Sequence, residues 1–80
     1  MSRDVATCNR LHWGRGTILE GDEGYGLTRI VLTYVGLTAV MAIWQARPDL
    51  EASTTLQCRE WRQVGYTDDP FTYFLPERQL

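Results

Sequence analysis

The sequence contains no lysine, a single histidine and only two cysteines. Cys8 and Cys58 lie far apart and no C-x-x-C spacing occurs, so the three or four ligands of a protein zinc site cannot be assembled. His12 follows Cys8 closely enough for a Cys-His pair, but an ordinary surface or edge histidine is the simpler interpretation. Because no nucleophile, base and orienting group come together, we predict no enzymatic activity, no metal and no cofactor.

The chain also lacks a large excess of either charge, since its formal net charge is −2. General nucleic-acid binders rely on a clear excess of Lys and Arg to neutralise phosphates, so this class is disfavoured. All 8 cationic residues are arginine. A genome rich in G and C explains this bias, although arginine also suits interfaces because it forms bidentate pairs and stacks on aromatic rings.

Two further signals are missing from the sequence. Residues 1–10 contain no apolar segment of the kind that secretory signals have, which predicts a cytoplasmic protein with reduced thiols. The glycines at 14–16 and 21–26 neither open a predicted helix nor end in a GK[ST] motif, which argues against a phosphate-binding loop. Both glycine segments therefore indicate turns.

One long stretch without charge, residues 30–46, lies at the lower length limit for a membrane-spanning helix. Its polar and β-branched residues, and a central glycine at position 36, favour strands instead. We expect two strands, 28–35 and 38–46, joined by a tight turn at 36–37. A helix over 37–46 remains the local alternative, because its apolar residues also fall at helical spacing.

The rest of the chain predicts further strands over residues 11–20, 54–64 and 71–75, with a turn-rich acidic loop at 21–26. Residues 48–52 follow a proline interruption and are predicted to form a loop or one helical turn. These elements indicate a single domain over residues 1–80, mainly β. We expect a small antiparallel barrel or a strongly bent sheet of about five strands, with at most one short helix.

A family resemblance covers roughly residues 12–46. The letters WGRGTILE at 13–20, a loop rich in glycine and acid, and TRIVLTYVG at 28–36 are followed by another apolar strand. This order resembles the opening of small Tudor-like barrels of the Src-homology type, such as the module at the C-terminus of bacterial DNA-repair helicases. The segment after residue 46 does not match. The resemblance implies a docking module without catalysis, binding a larger protein machine or nucleic acid.

Two groups of side chains are candidates for partner binding. Arginine and tryptophan are the residues most enriched in binding hot spots, and Arg59, Trp61 and Arg62 combine them within one predicted strand. Trp61 fits a second interpretation equally well, in which its ring belongs to the core and the arginines reach solvent. The second group is the acidic loop, with Glu20, Asp22 and Glu23.

The leading hypothesis for function is a small non-enzymatic protein-binding module. In size and charge it is similar in type to bacteriophage or mobile-element inhibitors of host machinery, including anti-CRISPR proteins. The alternative is a nucleic-acid-associated Tudor-like adaptor. The expected partner is a larger protein or a protein–nucleic acid complex, with only weak direct binding of nucleic acid and no membrane. The chain itself would be a monomer or a homodimer.

Overall fold

A computed structural model describes residues 13–22, 24, 26–36, 39–54 and 61–75. Within them the chain forms one sheet of five antiparallel strands with no helix, as the sequence predicted. The strands are β1 Thr17–Asp22, β2 Leu27–Val35, β3 Val40–Trp44, β4 Glu51–Thr54 and β5 Trp61–Tyr66. Their order across the sheet is β4-β3-β2-β1-β5, so β5 returns to pair with β1.

The uncharged stretch at 30–46 forms β3 and most of β2, and the structure decides against a helix over 37–46. Gly36 closes the turn between these strands by donating its N–H to the carbonyl of Ala39 at 2.9 Å. Residues 37 and 38 lie outside the described part of the chain. Among the described residues, no helix is long and apolar enough to cross a membrane.

The two faces of the sheet carry apolar clusters of unequal size, because side chains alternate between the faces along each strand. The larger cluster lies on what we call the first face and contains Trp13, Leu19, Ile30, Leu32, Val40, Ala42 and Trp61. The smaller cluster, on the second face, contains Ile18, Val31 and Ile43, with Phe74 packed against it. The middle of β2 is buried on both faces, which explains its continuous apolar sequence.

Two β-bulges interrupt the strand pairing. Leu19 pairs with Gln63 while Ile18 pairs with Gly65, which leaves Val64 as an additional residue in β5. A similar shift between β2 and β3 leaves Thr33 as the additional residue in β2. A bulge bends its strand and increases the local twist. Both irregularities lie within paired strands and outside the glycine segments at 14–16 and 21–26.

Three predicted elements differ from the structure. Strand β4 occupies part of the segment predicted as a loop or helical turn. The proline lies within the turn over 44–50, which returns the chain alongside β3. Strand β1 begins at Thr17, since residues 14–17 form a hydrogen-bonded turn, and positions 11 and 12 of the predicted strand lie outside the described residues. Residues 71–75 form turns rather than a strand, with Thr72 N–H donating to the carbonyl of Asp69 at 3.4 Å and Leu75 N–H to that of Thr72 at 3.1 Å.

Candidate interaction surfaces

A row of three charged side chains crosses the sheet on the second face. The strand register places Glu20 of β1 opposite Arg29 of β2 on one side and opposite Arg62 of β5 on the other. The Arg62 guanidinium donates to Oε1 of Glu20 at 2.8 Å and the Arg29 Nε donates to Oε2 at 3.3 Å. The two arginines share one carboxylate, so the row holds two positive charges and one negative charge.

The electrostatics of this row follow from those two contacts. The hydrogen bond from Arg62, and then the one from Arg29, lower the pKa of Glu20 below its ordinary value of 4.5. Both arginine side chains remain open to solvent, with exposed fractions of 76% for Arg62 and 47% for Arg29. Exposed ion pairs contribute little net stability, so the row mainly neutralises Glu20.

The acidic loop is organised around Asp22 at the β1–β2 hairpin. Its Oδ1 accepts hydrogen bonds from the backbone N–H of Gly24 at 2.7 Å and of Gly26 at 3.2 Å. Both glycines have positive φ angles, which allows the backbone to turn around the carboxylate. Asp22 thus shapes the loop, while Glu20 faces its arginines, and Glu23 lies outside the described residues. Partner binding through this acidic loop stays a prediction.

Trp61 belongs to the core of the protein. It is only 7% exposed, lies in the first-face cluster and is paired with Gly21 across the β1–β5 ladder. Arg62, the next residue, is exposed on the opposite face, where it meets Glu20. The structure therefore favours the core interpretation of Trp61 and separates this ring from Arg62. Arg59 lies outside the described residues.

A second surface, which we call the aromatic patch, consists of Arg15, Tyr66, Phe71 and Tyr73. The three rings are exposed by 63%, 46% and 44%, respectively. The Arg15 guanidinium lies over the Phe71 ring, 5.9 Å from its centroid, which is within cation–π distance. Arg15 and Tyr66 lie at the end of the sheet where β1 begins and β5 ends, away from the acidic hairpin.

Gly16 connects the two halves of the aromatic patch. Its φ angle is +93°, and a Cβ at this position would lie 2.9 Å from the Tyr66 ring. Its N–H donates to the carbonyl of Leu32 at 2.7 Å, and its carbonyl accepts from the N–H of Thr67 at 2.8 Å. These contacts fix the start of β1 against the end of β5, so Arg15 and Tyr66 are held on neighbouring backbone.

The turns at 70–75 are anchored to the second face of the sheet. Pro70 is fully buried, and Phe74 packs against the second-face cluster. Tyr73 meets Phe74 edge to face, with ring centroids 5.0 Å apart and planes at 68°. This geometry is one that aromatic pairs prefer. The exposed rings of Phe71 and Tyr73 are therefore carried by a packed segment.

The aromatic patch was not predicted from the sequence, because residues 71–75 were predicted to form a strand. The usable signal was Pro70 and the two preceding aspartates, which are typical of a turn. Among the residues that the structure describes, no group of three or more His, Cys, Asp and Glu side chains is placed to hold a metal ion.

Comparison with known proteins gives one match. A family model described as a domain of unknown function, DUF7241, matches residues 2–66. This match includes all five strands and ends with the last residue of β5. Neither the curated proteins nor the solved structures include a match to this chain.

Proposed function

Because this chain belongs to the DUF7241 family, a domain of unknown function, we propose a function from the side chains that its sheet presents. The protein is a small non-enzymatic module that binds a protein partner through the aromatic patch. The observation that carries this proposal is the exposure of three aromatic residues, Tyr66 at the end of β5 and Phe71 and Tyr73 in the turns that follow, with the Arg15 guanidinium over Phe71.

The composition of the patch supports protein binding. Tyrosine, phenylalanine and arginine are enriched in protein–protein interfaces, and tyrosine and arginine are frequent among hot-spot residues. A single exposed ring is common on any protein surface. Here Tyr66 packs beside Gly16, the adjacent Arg15 lies over Phe71, and Tyr73 follows within the same turns. Tyr66 and Phe71 therefore contact the neighbouring residues Gly16 and Arg15, and Tyr73 follows Phe71 by two residues.

The rigidity of the patch adds a second argument. Binding costs free energy when side chains and loops must be ordered, at about 0.5–1.5 kcal/mol for each flexible side chain. The backbone beneath this patch is already held by the hydrogen bonds of Gly16 and by the buried Pro70. Tyrosine and phenylalanine also have few rotatable bonds to restrict. The surface is thus preorganised for a partner.

The nucleic-acid alternative draws less support from the arginines. Arg29 and Arg62 share the carboxylate of Glu20, and Arg15 lies over an aromatic ring. Phosphate binding needs cationic groups that neutralise the backbone charge. Three of the 8 arginines of the chain therefore already contact a carboxylate or an aromatic ring. A phage inhibitor of host machinery is a narrower prediction within the proposal, and the nucleic-acid-associated Tudor-like adaptor stays the alternative to it.

Affinity capture from a host lysate tests the proposal when it is combined with matched variants. The wild-type chain and Leu27→Ala should retain the same stoichiometric protein partner, because Leu27 is 74% exposed but lies at the opposite end of the sheet. The double variant Tyr66→Ser and Tyr73→Ser should lose that partner while keeping its thermal midpoint within a few degrees. No stoichiometric partner for the wild type, or full capture by the double variant, contradicts the proposal.

A separate measurement addresses nucleic acid. A mobility-shift experiment at low salt with double-stranded DNA and single-stranded RNA should show no binding by the purified chain. The adaptor alternative predicts a shift that weakens steeply as salt is added. Such a salt-dependent shift, together with partner loss after nuclease treatment, would replace the protein-binding proposal.

A further inference from the structure

The turn that joins Tyr66 to Phe71 of the aromatic patch carries two negative charges. Asp68 and Asp69 lie on the turn between Tyr66 and Phe71, and both are exposed. Neither carboxylate forms an ion pair with any residue that the structure describes. Arg15 is the cation of the patch, so the patch and this turn together carry one net negative charge, in a chain whose net charge is also negative. The partner that this surface fits is therefore cationic.

We infer that the aromatic patch binds an arginine-rich segment of a partner protein, with guanidinium groups over the tyrosine rings and paired with Asp68 and Asp69. This inference rests on the proposed function and specifies the chemistry of the partner. The structure contains an internal example of the contact, because the Arg15 guanidinium already lies over Phe71. The faces of Tyr66 and Tyr73 offer the same quadrupole to a cation from outside.

Arginine fits this surface better than lysine. Its guanidinium is planar, so it stacks on a ring and can still present N–H donors in its own plane to a carboxylate. Two exposed carboxylates within five residues of two exposed tyrosines match that combination of stacking and hydrogen bonding. The ammonium of lysine is a compact and strongly hydrated charge that loses more solvation on such a surface. The patch should therefore discriminate between the two cations.

The charges of the patch argue against two other occupants. A nucleic acid would bring phosphates towards Asp68 and Asp69, which is unfavourable at short range. A second copy of the chain would use the same surface on both sides of a twofold axis, and would bring these carboxylates towards their own copies. A basic partner removes this repulsion and gains electrostatic steering during association.

A set of labelled peptides tests the inference on the full chain. The probes are fluorescein-labelled peptides with five Arg-Gly, five Lys-Gly or five Glu-Gly repeats, measured by fluorescence anisotropy at low salt. The Arg-Gly peptide should bind saturably, the Lys-Gly peptide about two- to five-fold more weakly, and the Glu-Gly peptide not at all. Equal binding of all three, or no saturable binding of the Arg-Gly peptide, overturns the inference.

Matched carboxylate variants locate the binding site. Asp68→Asn and Asp69→Asn should each weaken Arg-Gly binding about two- to five-fold, as expected for a solvent-exposed ion pair. Asp49→Asn makes the same charge change on an exposed residue in the β3–β4 turn, at the opposite end of the sheet, and should leave binding unchanged. If Asp49→Asn weakens binding as much as the other two variants, the peptide senses only net charge and the inference is wrong.

Partner capture then separates this inference from the proposed function. Combined Asp68→Asn and Asp69→Asn should reduce capture of the stoichiometric partner, as the Tyr66→Ser and Tyr73→Ser variant does. If only the tyrosine variant loses the partner, the patch binds protein but not through a basic segment, and this inference fails alone. If neither variant loses the partner, both the inference and the proposed function fail.

Discussion

Replacing Gly16 by alanine should destabilise the protein more than any other single added methyl group on a described glycine. Its φ angle of +93° lies in the left-handed region, and a Cβ would stand 2.3 Å from the carbonyl oxygen of Thr67 and 2.9 Å from the Tyr66 ring. Real Cβ atoms do not approach backbone oxygen this closely, so the end of β5 must move. Backbone on both sides of this contact is held in place by hydrogen bonds.

The magnitude follows from two contributions. A residue with a Cβ in the left-handed region costs about 1–2 kcal/mol. Displacing the Thr67 carbonyl also disturbs the hydrogen bond from Thr67 N–H to Gly16 and the one from Gly16 N–H to Leu32, each with a net contribution of about 0.5–1.5 kcal/mol. We therefore expect a loss of about 2–5 kcal/mol in the free energy of unfolding. Small domains have only about 5–15 kcal/mol in total.

Urea unfolding monitored by tryptophan fluorescence measures this loss, because Trp13 and Trp61 both lie in the first-face cluster. Gly24→Ala is the matched control, since Gly24 has a φ angle of +103° but no atom within 4 Å of the added Cβ. It should lose only the conformational contribution of about 1–2 kcal/mol. Equal losses for the two variants would refute the argument that the contact with Thr67 matters.

The remaining predictions concern the ion row and the two clusters. The hydrogen bond from Arg62, and then the one from Arg29, lower the pKa of Glu20 in the folded state. The ionised carboxylate therefore stabilises the fold above the unfolded-state pKa of about 4.5, and this stabilisation is lost as the pH falls through the folded-state pKa. The difference in thermal midpoint between wild type and Glu20→Gln should be largest near neutral pH and shrink in acid; a constant difference contradicts this. In urea unfolding, Trp61→Ala should lower the free energy of unfolding by about 3–5 kcal/mol, and Arg62→Ala should lower it far less. Similar losses for the two variants would place Trp61 outside the core. Phe74→Ala should cost about 1–3 kcal/mol by uncovering the second-face cluster, and a larger loss for the exposed Tyr73→Ala would contradict that packing.

The local pattern of the sequence was sufficient to predict β2 and β3 as strands. The predicted strand 28–35 differs from β2 by one residue at its start, because buried β-branched residues and the glycine at 36 mark it locally. Strand β4 has no comparable pattern in its four residues. It forms because it pairs with β3 and because Glu51 accepts a hydrogen bond from the Thr33 hydroxyl across the sheet. Contacts of that kind are visible only once the strands are assembled.

The charge pattern was harder to interpret than the fold. Counting residues placed Glu20 with the acidic loop, whereas the register places it between Arg29 and Arg62. Which charges remain unpaired depends on cross-strand neighbours, and those are set by bulges that the sequence does not mark. The same limit applies to Trp61, for which the sequence supported core and interface equally. Its burial follows from the pairing of β5 with β1.

The family match includes the sheet but not all of the residues proposed to bind the partner. Residues 2–66 include the whole sheet and Arg15 and Tyr66, but Asp68, Phe71 and Tyr73 follow the matched segment. Membership of the family therefore argues for the sheet and not for these side chains. Phe74 nevertheless packs on residues of β1, β2 and β3, so the segment depends on an apolar surface that the matched sheet provides. If this segment binds the partner, substitution of its exposed rings and carboxylates should abolish partner binding while the sheet stays folded.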